Sequence, residues 1–224
     1  MTSSNIYYIR VHHFIGNKCF ENFIKAKLPL SILNSARKYK DEQAKWHFLL
    51  GRYLLKEALS TLDSEVGLES ISYTDLGKPY IPGNYYFNIS HSSDLVALVV
   101  SDQEDVGIDV EAVSRNIRLN DFSNYFTKKE WDIILNGIDP VLSFYRKWTQ
   151  KEAFLKAYGL GHYANFKDAI TSENIALIKG NDKKWHLTTV DLIKDYCGTV
   201  CSSAKLQFKI NELGVIVTNF PIVK

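Results

Sequence analysis

The sequence Val106-Gly-Ile-Asp-Val-Glu111 guides the interpretation of the rest of the chain. Branched apolar residues alternate here with glycine and acids, which is typical of a β-strand whose side chains point in turn to its two faces. One face carries three apolar side chains, and the other carries Gly107, Asp109 and Glu111. We expect Gly107, which has no side chain, to leave that second face open beside the two carboxylates.

Two carboxylates side by side on one strand face repel each other, and a divalent cation would remove that repulsion. Two hard oxygen ligands, with room for water and a phosphate, are typical of a Mg2+ site that a substrate completes. Taken alone, Asp109 and Glu111 are better explained as two exposed acids on a solvated face.

The helical sequence Trp148-Thr-Gln-Lys-Glu-Ala-Phe-Leu-Lys156 supplies a third carboxylate, Glu152, one turn before Lys156. Acid and base at this spacing often form a simple surface pair. Because Trp148 lies on the same face, we expect the face to be partly buried. Glu152 is then a candidate metal ligand or general base, and Lys156 a candidate phosphate partner.

Before the strand, the segment Phe87-Asn-Ile-Ser-His-Ser-Ser93 leads into a turn expected at Ser90 to Asp94, which joins strands at 85–89 and 95–100. Since no Asp-His-Ser order accompanies it, a hydrolase triad is rejected, and His91 is interpreted as a hydrogen-bond donor to an anion. Gly77-Lys78-Pro79 places a lysine on a rigid turn, which also suits a phosphate.

Each half of the chain is predicted to contain helix first and then a small antiparallel sheet. We therefore predict an α+β duplication with halves 1–103 and 104–224 and the active site at their interface. Helices are expected at 30–62, 127–135 and 141–158. Strands are expected at 6–14, 71–74, 85–89, 95–100, 106–111, 175–178, 185–190, 199–202, 205–210 and 215–218.

Composition excludes several classes of protein. The 224 residues include 27 Lys plus Arg against 25 Asp plus Glu, and a net charge of +2 argues against a nucleic-acid coat. The longest apolar run, at 95–100, is far shorter than the roughly 20 residues of a membrane helix. The three cysteines (Cys19, Cys197 and Cys201) are an odd number, which argues against a disulfide framework and favours the cytoplasm. Cys197 and Cys201 are expected to be core thiols rather than zinc ligands.

Five motifs together resemble those of the larger, surfactin-type 4′-phosphopantetheinyl transferases, in the family's order and spacing. They are Gly77-Lys-Pro79, Phe87-Asn-Ile-Ser-His-Ser92, Gly107-Ile-Asp-Val-Glu111, Phe126-Thr-Lys-Lys-Glu130 and Trp148-Thr-Gln-Lys-Glu-Ala-Phe-Leu-Lys156. The resemblance implies a monomeric pseudo-dimer of two α+β halves with coenzyme A between them. It also implies transfer of phosphopantetheine from coenzyme A to a serine of an apo acyl or peptidyl carrier protein, releasing adenosine 3′,5′-bisphosphate.

The resemblance also implies individual roles. Asp109, Glu111 and Glu152 match the Mg2+ ligands, and Glu152 is also the expected base. Lys156 and His91 match groups that hold the pyrophosphate, and Lys78 and Ser90 match residues near the nucleotide. Either Lys45 or His47 is expected to meet the 3′-phosphate. The carrier protein is expected to dock near Arg115 to Tyr125, with Arg115 and Arg118 attracting its acidic surface.

Two other functions are compatible with the same residues. Three carboxylates and a lysine could activate water in a metal-dependent nucleotide pyrophosphatase, or the chain could bind carrier proteins without catalysis.

Overall fold

The computed structural model describes residues 4–62, 66–83, 85–102, 105–160 and 165–213. Its helices are α1 (Lys18–Lys27), α2 (Leu30–Ala36), α3 (Glu42–Leu62), α4 (Lys128–Leu135) and α5 (Pro140–Tyr158). Its strands are β1 (Ser4–Arg10), β2 (Ser72–Tyr73), β3 (Pro79–Tyr80), β4 (Tyr86–Ser92), β5 (Leu95–Ser101), β6 (Val106–Ala112), β7 (Ala169–Thr171), β8 (Ile175–Ile178), β9 (Trp185–Thr189), β10 (Tyr196–Ser202) and β11 (Phe208–Glu212).

The first sheet has the strand order β11-β1-β5-β4, and helix α3 covers one of its faces. The apolar stripe predicted along α3 is buried there, with Trp46, Leu50 and Leu54 at 1% exposure or less. Strand β11 lies parallel to β1 at the edge, although it comes from the far end of the chain.

The second sheet has the order β6-β10-β9-β8-β7, and helix α5 packs on β6 and β10. Helix α5 begins where Asp139 accepts a hydrogen bond from the Leu142 amide, and Pro140 fits its first turn. It ends at Gly159, whose φ of 87° is the left-handed conformation that glycine favours. The predicted α+β class is therefore confirmed.

The two sheets meet along a line that we call the seam. Here Asn88, Ser90 and Ser92 of β4 accept hydrogen bonds from backbone amides of β6, in place of a strand ladder. The donors are Ile108, Val110 and Ala112, at 3.0, 3.2 and 3.1 Å. Behind the seam, apolar residues of both sheets form a shared core that includes Ile6, Val99, Ile108 and Val200.

Several local predictions need correction. Strand β1 ends at Arg10 rather than residue 14, because a 3-10 turn follows, and α1 was not predicted. The helical stretch at 30–62 is divided between α2 and α3. The strand expected at 205–210 lies at Phe208–Glu212, and the one expected at 215–218 falls outside the described residues.

Two further findings concern composition. Cys197 and Cys201 are free and buried, as expected of core thiols. In the described part of the chain, no helix is both long enough and apolar enough to cross a membrane.

Candidate active site

Gly107 determines how closely helix α5 approaches strand β6. A Cβ atom at Gly107 would overlap the backbone of Ala153 and Ala157 in α5. The expectation that Gly107 leaves an open face is therefore wrong, because the helix occupies that space. The predicted alternation itself is confirmed, since Asp109 and Glu111 lie on the same side of β6 as Gly107 and meet the α5 side chains.

Asp109 and Lys156 form the centre of the site. Lys156 Nζ lies 2.5 Å from Asp109 Oδ1 and 3.1 Å from Ser90 Oγ. Ser90 donates to the same Oδ1 at 3.0 Å. Ser90 and His91 lie within β4 rather than in a turn, so that prediction of their local structure is wrong. Strand geometry sends the Ser90 hydroxyl across the seam to Asp109.

The second carboxylate oxygen of Asp109 is the unusual atom of the site. Asp109 is only 3% exposed, and its Oδ2 is buried without a hydrogen-bond partner in the described structure. Burial raises the pKa of Asp109 above its usual range, despite the opposing charge of Lys156. An orphaned carboxylate oxygen of this kind fits an additional cationic ligand.

Glu111 lies beside Asp109 and is held by Ser92, which donates to Oε2 at 2.6 Å. Burial raises the pKa of Glu111 to about 7, the Ser92 hydrogen bond opposes this rise, and the charges of Asp109 and Glu152 add to it. Glu152 is half-buried on α5, as predicted from the shared face with Trp148. Both neighbouring carboxylates therefore repel the charge of Glu111.

A hard cation would relieve this repulsion, and the chemistry of the three acids suits Mg2+. In the described ranges, however, no three His, Cys, Asp or Glu side chains converge closely enough to enclose a metal ion. The residues thus fit a cation that also takes ligands from outside the protein, such as water or phosphate oxygens.

Two histidine rings stack beside this centre. The rings of His47 and His91 lie 4.3 Å apart at 17°, and His47 Nε2 is 2.8 Å from the carbonyl oxygen of Ser93. Loss of hydration, with the neighbouring charges of His47 and Lys156, lowers the pKa of His91 to about 4. His91 is therefore neutral at pH 7 and still able to donate one hydrogen bond to an anion.

Lys45 lies near helix α1, and Lys78 lies at the end of helix α5. The pKa of Glu21 in α1 is lowered first by its hydrogen bond from Lys25 and also by the charge of Lys45, so Lys45 lies near α1. Lys78 Nζ donates to the carbonyl of Ala157 at 2.7 Å, at the last turn of α5. Burial lowers the pKa of Lys78.

The segment from Arg115 to Tyr125 forms a surface next to α5. A 3-10 helix spans Leu119–Tyr125, and the rings of Phe122 and Tyr125 each lie 5.6 Å from the ring of Trp148. Arg118 is exposed, whereas Arg115 is paired with Asp139 at the start of α5.

Sequence reasoning missed two functions of side chains in the quoted motifs. Ser92 holds Glu111, and its position two residues after Ser90 on one strand face would have signalled this. Lys151 and Glu130 form a buried ion pair that joins α5 to α4. Nothing in their local sequence indicates that pairing.

In comparisons with known proteins, the matching family model and the similar relatives all carry the name phosphopantetheinyl transferase. The model of the 4′-phosphopantetheinyl transferase superfamily matches residues 105–201, which include β6, α4 and α5. A "Phosphopantetheinyl transferase" of Thraustochytrium sp. is 33% identical over 62% of this chain, and the match spans only 54% of that relative.

Two other relatives carry similar names. The "4'-phosphopantetheinyl transferase gsp" of Aneurinibacillus migulanus is 28% identical over 93% of this chain and 88% of its own length. The "L-aminoadipate-semialdehyde dehydrogenase-phosphopantetheinyl transferase" of Schizosaccharomyces pombe is 32% identical over 61% of this chain and 60% of its own.

Proposed function

Because this chain belongs to the 4′-phosphopantetheinyl transferase superfamily, we propose that it transfers 4′-phosphopantetheine from coenzyme A to a serine of an apo acyl or peptidyl carrier protein. It would thus act as a holo-carrier-protein synthase. The observation that carries this proposal is the contact of Asp109 with Lys156, which leaves Asp109 Oδ2 buried and without a partner among the described residues.

In the proposed reaction, the carrier serine oxygen forms a bond to the β-phosphorus of coenzyme A. The bond from that phosphorus to the bridging oxygen breaks, and adenosine 3′,5′-bisphosphate leaves with that oxygen. The serine proton passes to a base, for which we propose Glu152, a half-buried carboxylate on the face of α5 that also carries Lys156.

We propose that Asp109, Glu111 and Glu152 hold Mg2+. When bound, Mg2+ neutralises negative charge on the pyrophosphate. The repulsion of Glu111 by the other two acids supports this assignment, as does the Asp109 oxygen that lacks a partner in the described ranges.

Cations and imidazoles next to these acids would hold coenzyme A. Lys156 is assigned to the pyrophosphate because its ammonium lies at the centre of the site. His91 would add a neutral donor there. We propose His47 rather than Lys45 for the 3′-phosphate, since His47 stacks on His91.

Ser90 and Lys78 belong to the proposed nucleotide end of the site, with different support. The Ser90 hydroxyl contacts Asp109 and Lys156. Because Lys156 is assigned to the pyrophosphate, we place Ser90 next to the phosphate groups of coenzyme A. Lys78 donates to the carbonyl of Ala157, the residue that follows Lys156 in the last turn of α5.

Carrier docking near Arg115 to Tyr125 is also a proposal. The exposed Arg118 and the aromatic surface of Phe122 and Tyr125 beside α5 would meet an acidic, partly apolar partner.

The division into residues 1–103 and 104–224, with the site between them, is supported by Ser90 and Asp109 coming from different sheets. A monomer in the cytoplasm completes the proposal, and the three free thiols fit that compartment.

The proposal is tested by incubating the protein with coenzyme A, Mg2+ and a panel of apo carriers, followed by intact-mass measurement. Addition of one phosphopantetheine group to a carrier is expected, and Asp109→Ala with Glu152→Ala should abolish it. No addition to any carrier would contradict the proposal. Release of phosphopantetheine without a carrier would instead indicate a pyrophosphatase.

A further inference from the structure

The Ser92 hydroxyl has two partners, and together they fix the direction of its proton. Its oxygen accepts a hydrogen bond from the Ala112 amide at 3.1 Å and lies 2.6 Å from Glu111 Oε2. A hydroxyl carries a single proton, and the amide already supplies one of its own. The Ser92 proton is therefore directed to the Glu111 carboxylate.

The Ser90 hydroxyl, two residues before Ser92 in β4, has an equivalent set of contacts. Its oxygen accepts from the Val110 amide at 3.2 Å and lies 3.1 Å from the Lys156 ammonium, which can only donate. Its proton is therefore directed to Asp109 Oδ1 at 3.0 Å. Ser90 and Lys156 both hold Oδ1, and within the described part of the chain Oδ2 is the oxygen without a partner.

We propose that Ser90 and Ser92 are positioning residues that orient Asp109 and Glu111 for the cation. The inference rests on the proposed metal site. Each hydroxyl fixes one oxygen of its carboxylate, so the carboxylate group cannot rotate freely. Hydrogen bonds of this kind to metal-binding carboxylates contribute strongly to metal affinity.

Asn88 offers a matched control within the seam. Its side-chain oxygen accepts from the Ile108 amide at 3.0 Å, as the two serines accept from their own amides. The β6 residue before Ile108 is Gly107, so Asn88 has no carboxylate to orient. Asn88→Ala and Ser92→Ala therefore both remove a seam hydrogen bond, but only Ser92→Ala also releases an acid.

The test is a titration with Mn2+ in the presence of coenzyme A, in which electron paramagnetic resonance measures free Mn2+. Coenzyme A alone provides the background. Ser92→Ala is expected to bind Mn2+ about 10- to 100-fold more weakly than the unchanged protein. Asn88→Ala should bind it normally, and Ser92→Thr, which keeps the hydroxyl, should restore binding. At saturating Mg2+, Ser92→Ala should regain most of its transferase activity.

The remaining outcomes separate this inference from the proposed function. Normal Mn2+ binding by Ser92→Ala, with loss in Asp109→Ala, would overturn the positioning role and leave the metal site intact. Equal losses in Ser92→Ala and Asn88→Ala would show that the seam acts only structurally. Normal binding by Asp109→Ala would overturn the metal site and the positioning role together.

Discussion

Lys151 Nζ lies 2.9 Å from Glu130 Oε1, and these side chains are 0% and 7% exposed. The lysine also donates to the carbonyls of Phe166 and Ala169. Glu130 completes the capping box of α4 with Thr127. The pair therefore fixes α5, and with it Glu152 and Lys156, against α4 and the second sheet.

We expect Lys151→Met to lower the free energy of unfolding by about 3–5 kcal/mol, because it leaves a buried carboxylate without its cation. Chemical unfolding measures this change. The double variant Lys151→Met with Glu130→Gln should recover much of the loss, since no charge stays buried and Gln can keep the capping box with Thr127. An unchanged unfolding midpoint in Lys151→Met would contradict this expectation.

Gly107→Ala should push α5 away from β6, because its Cβ would overlap the helix backbone. Overpacking of this kind costs about 1–3 kcal/mol, and here it also separates Lys156 from Asp109. We expect loss of both stability and transferase activity. Gly180→Ala is the control, because open space surrounds Gly180, although its φ of 84° adds strain. Equal activity in the two variants would refute this role of Gly107.

Lys156→Ala should mainly impair the use of coenzyme A. Loss of a charged hydrogen bond to phosphate corresponds to an increase in KM of about 10- to 100-fold. Steady-state kinetics at varied coenzyme A, with carrier saturating, measures the effect. A normal KM for coenzyme A would remove Lys156 from the pyrophosphate site.

Arg118→Glu should slow carrier capture and leave coenzyme A binding unchanged. The exposed arginine would attract an acidic carrier, so the difference from the unchanged protein should shrink as salt is raised. Lys209→Glu makes the same charge change on β11, away from the proposed docking surface, and should have little effect. Identical kinetics with the carrier in both variants would count against docking there.

Acid should weaken the attachment of β1 to the hairpin of β4 and β5. Partial burial alone would raise the pKa of Asp94, but hydrogen bonds from His12 and Arg10 outweigh it and hold the pKa below its usual value of 3.8. Such a lowered pKa stabilises the fold above that usual value, and the contribution disappears as the pH falls through the folded-state pKa. Thermal unfolding from neutral to acidic pH should show this loss, and Asp94→Asn should reduce the pH dependence.

Local patterns predicted the elements that build the site but not their contacts. The alternation of Val106 to Glu111 correctly placed Asp109 and Glu111 on one face, because a strand has a strict two-residue period. The same pattern could not show that Gly107 meets a helix about fifty residues later. The turn expected at Ser90 to Asp94 is tighter in the structure, so Ser90 and His91 extend β4.

Long-range relationships explain the other differences. The partnership of Lys151 with Glu130 depends on how α4 and α5 pack, which neither helix specifies by itself. Helix α1 was not predicted, although Asn17 caps its first turn.

The parallel pairing of β11 with β1 has a consequence for synthesis of the protein. Until Phe208–Glu212 has left the ribosome, Ser4–Arg10 would present an unpaired strand edge in any sheet formed with β5. Open edges of this kind recruit other strands and promote aggregation. One edge of β1 therefore stays unpaired while the residues between β5 and β11 are synthesised. A chaperone bound to β1 would protect the nascent chain most during that interval.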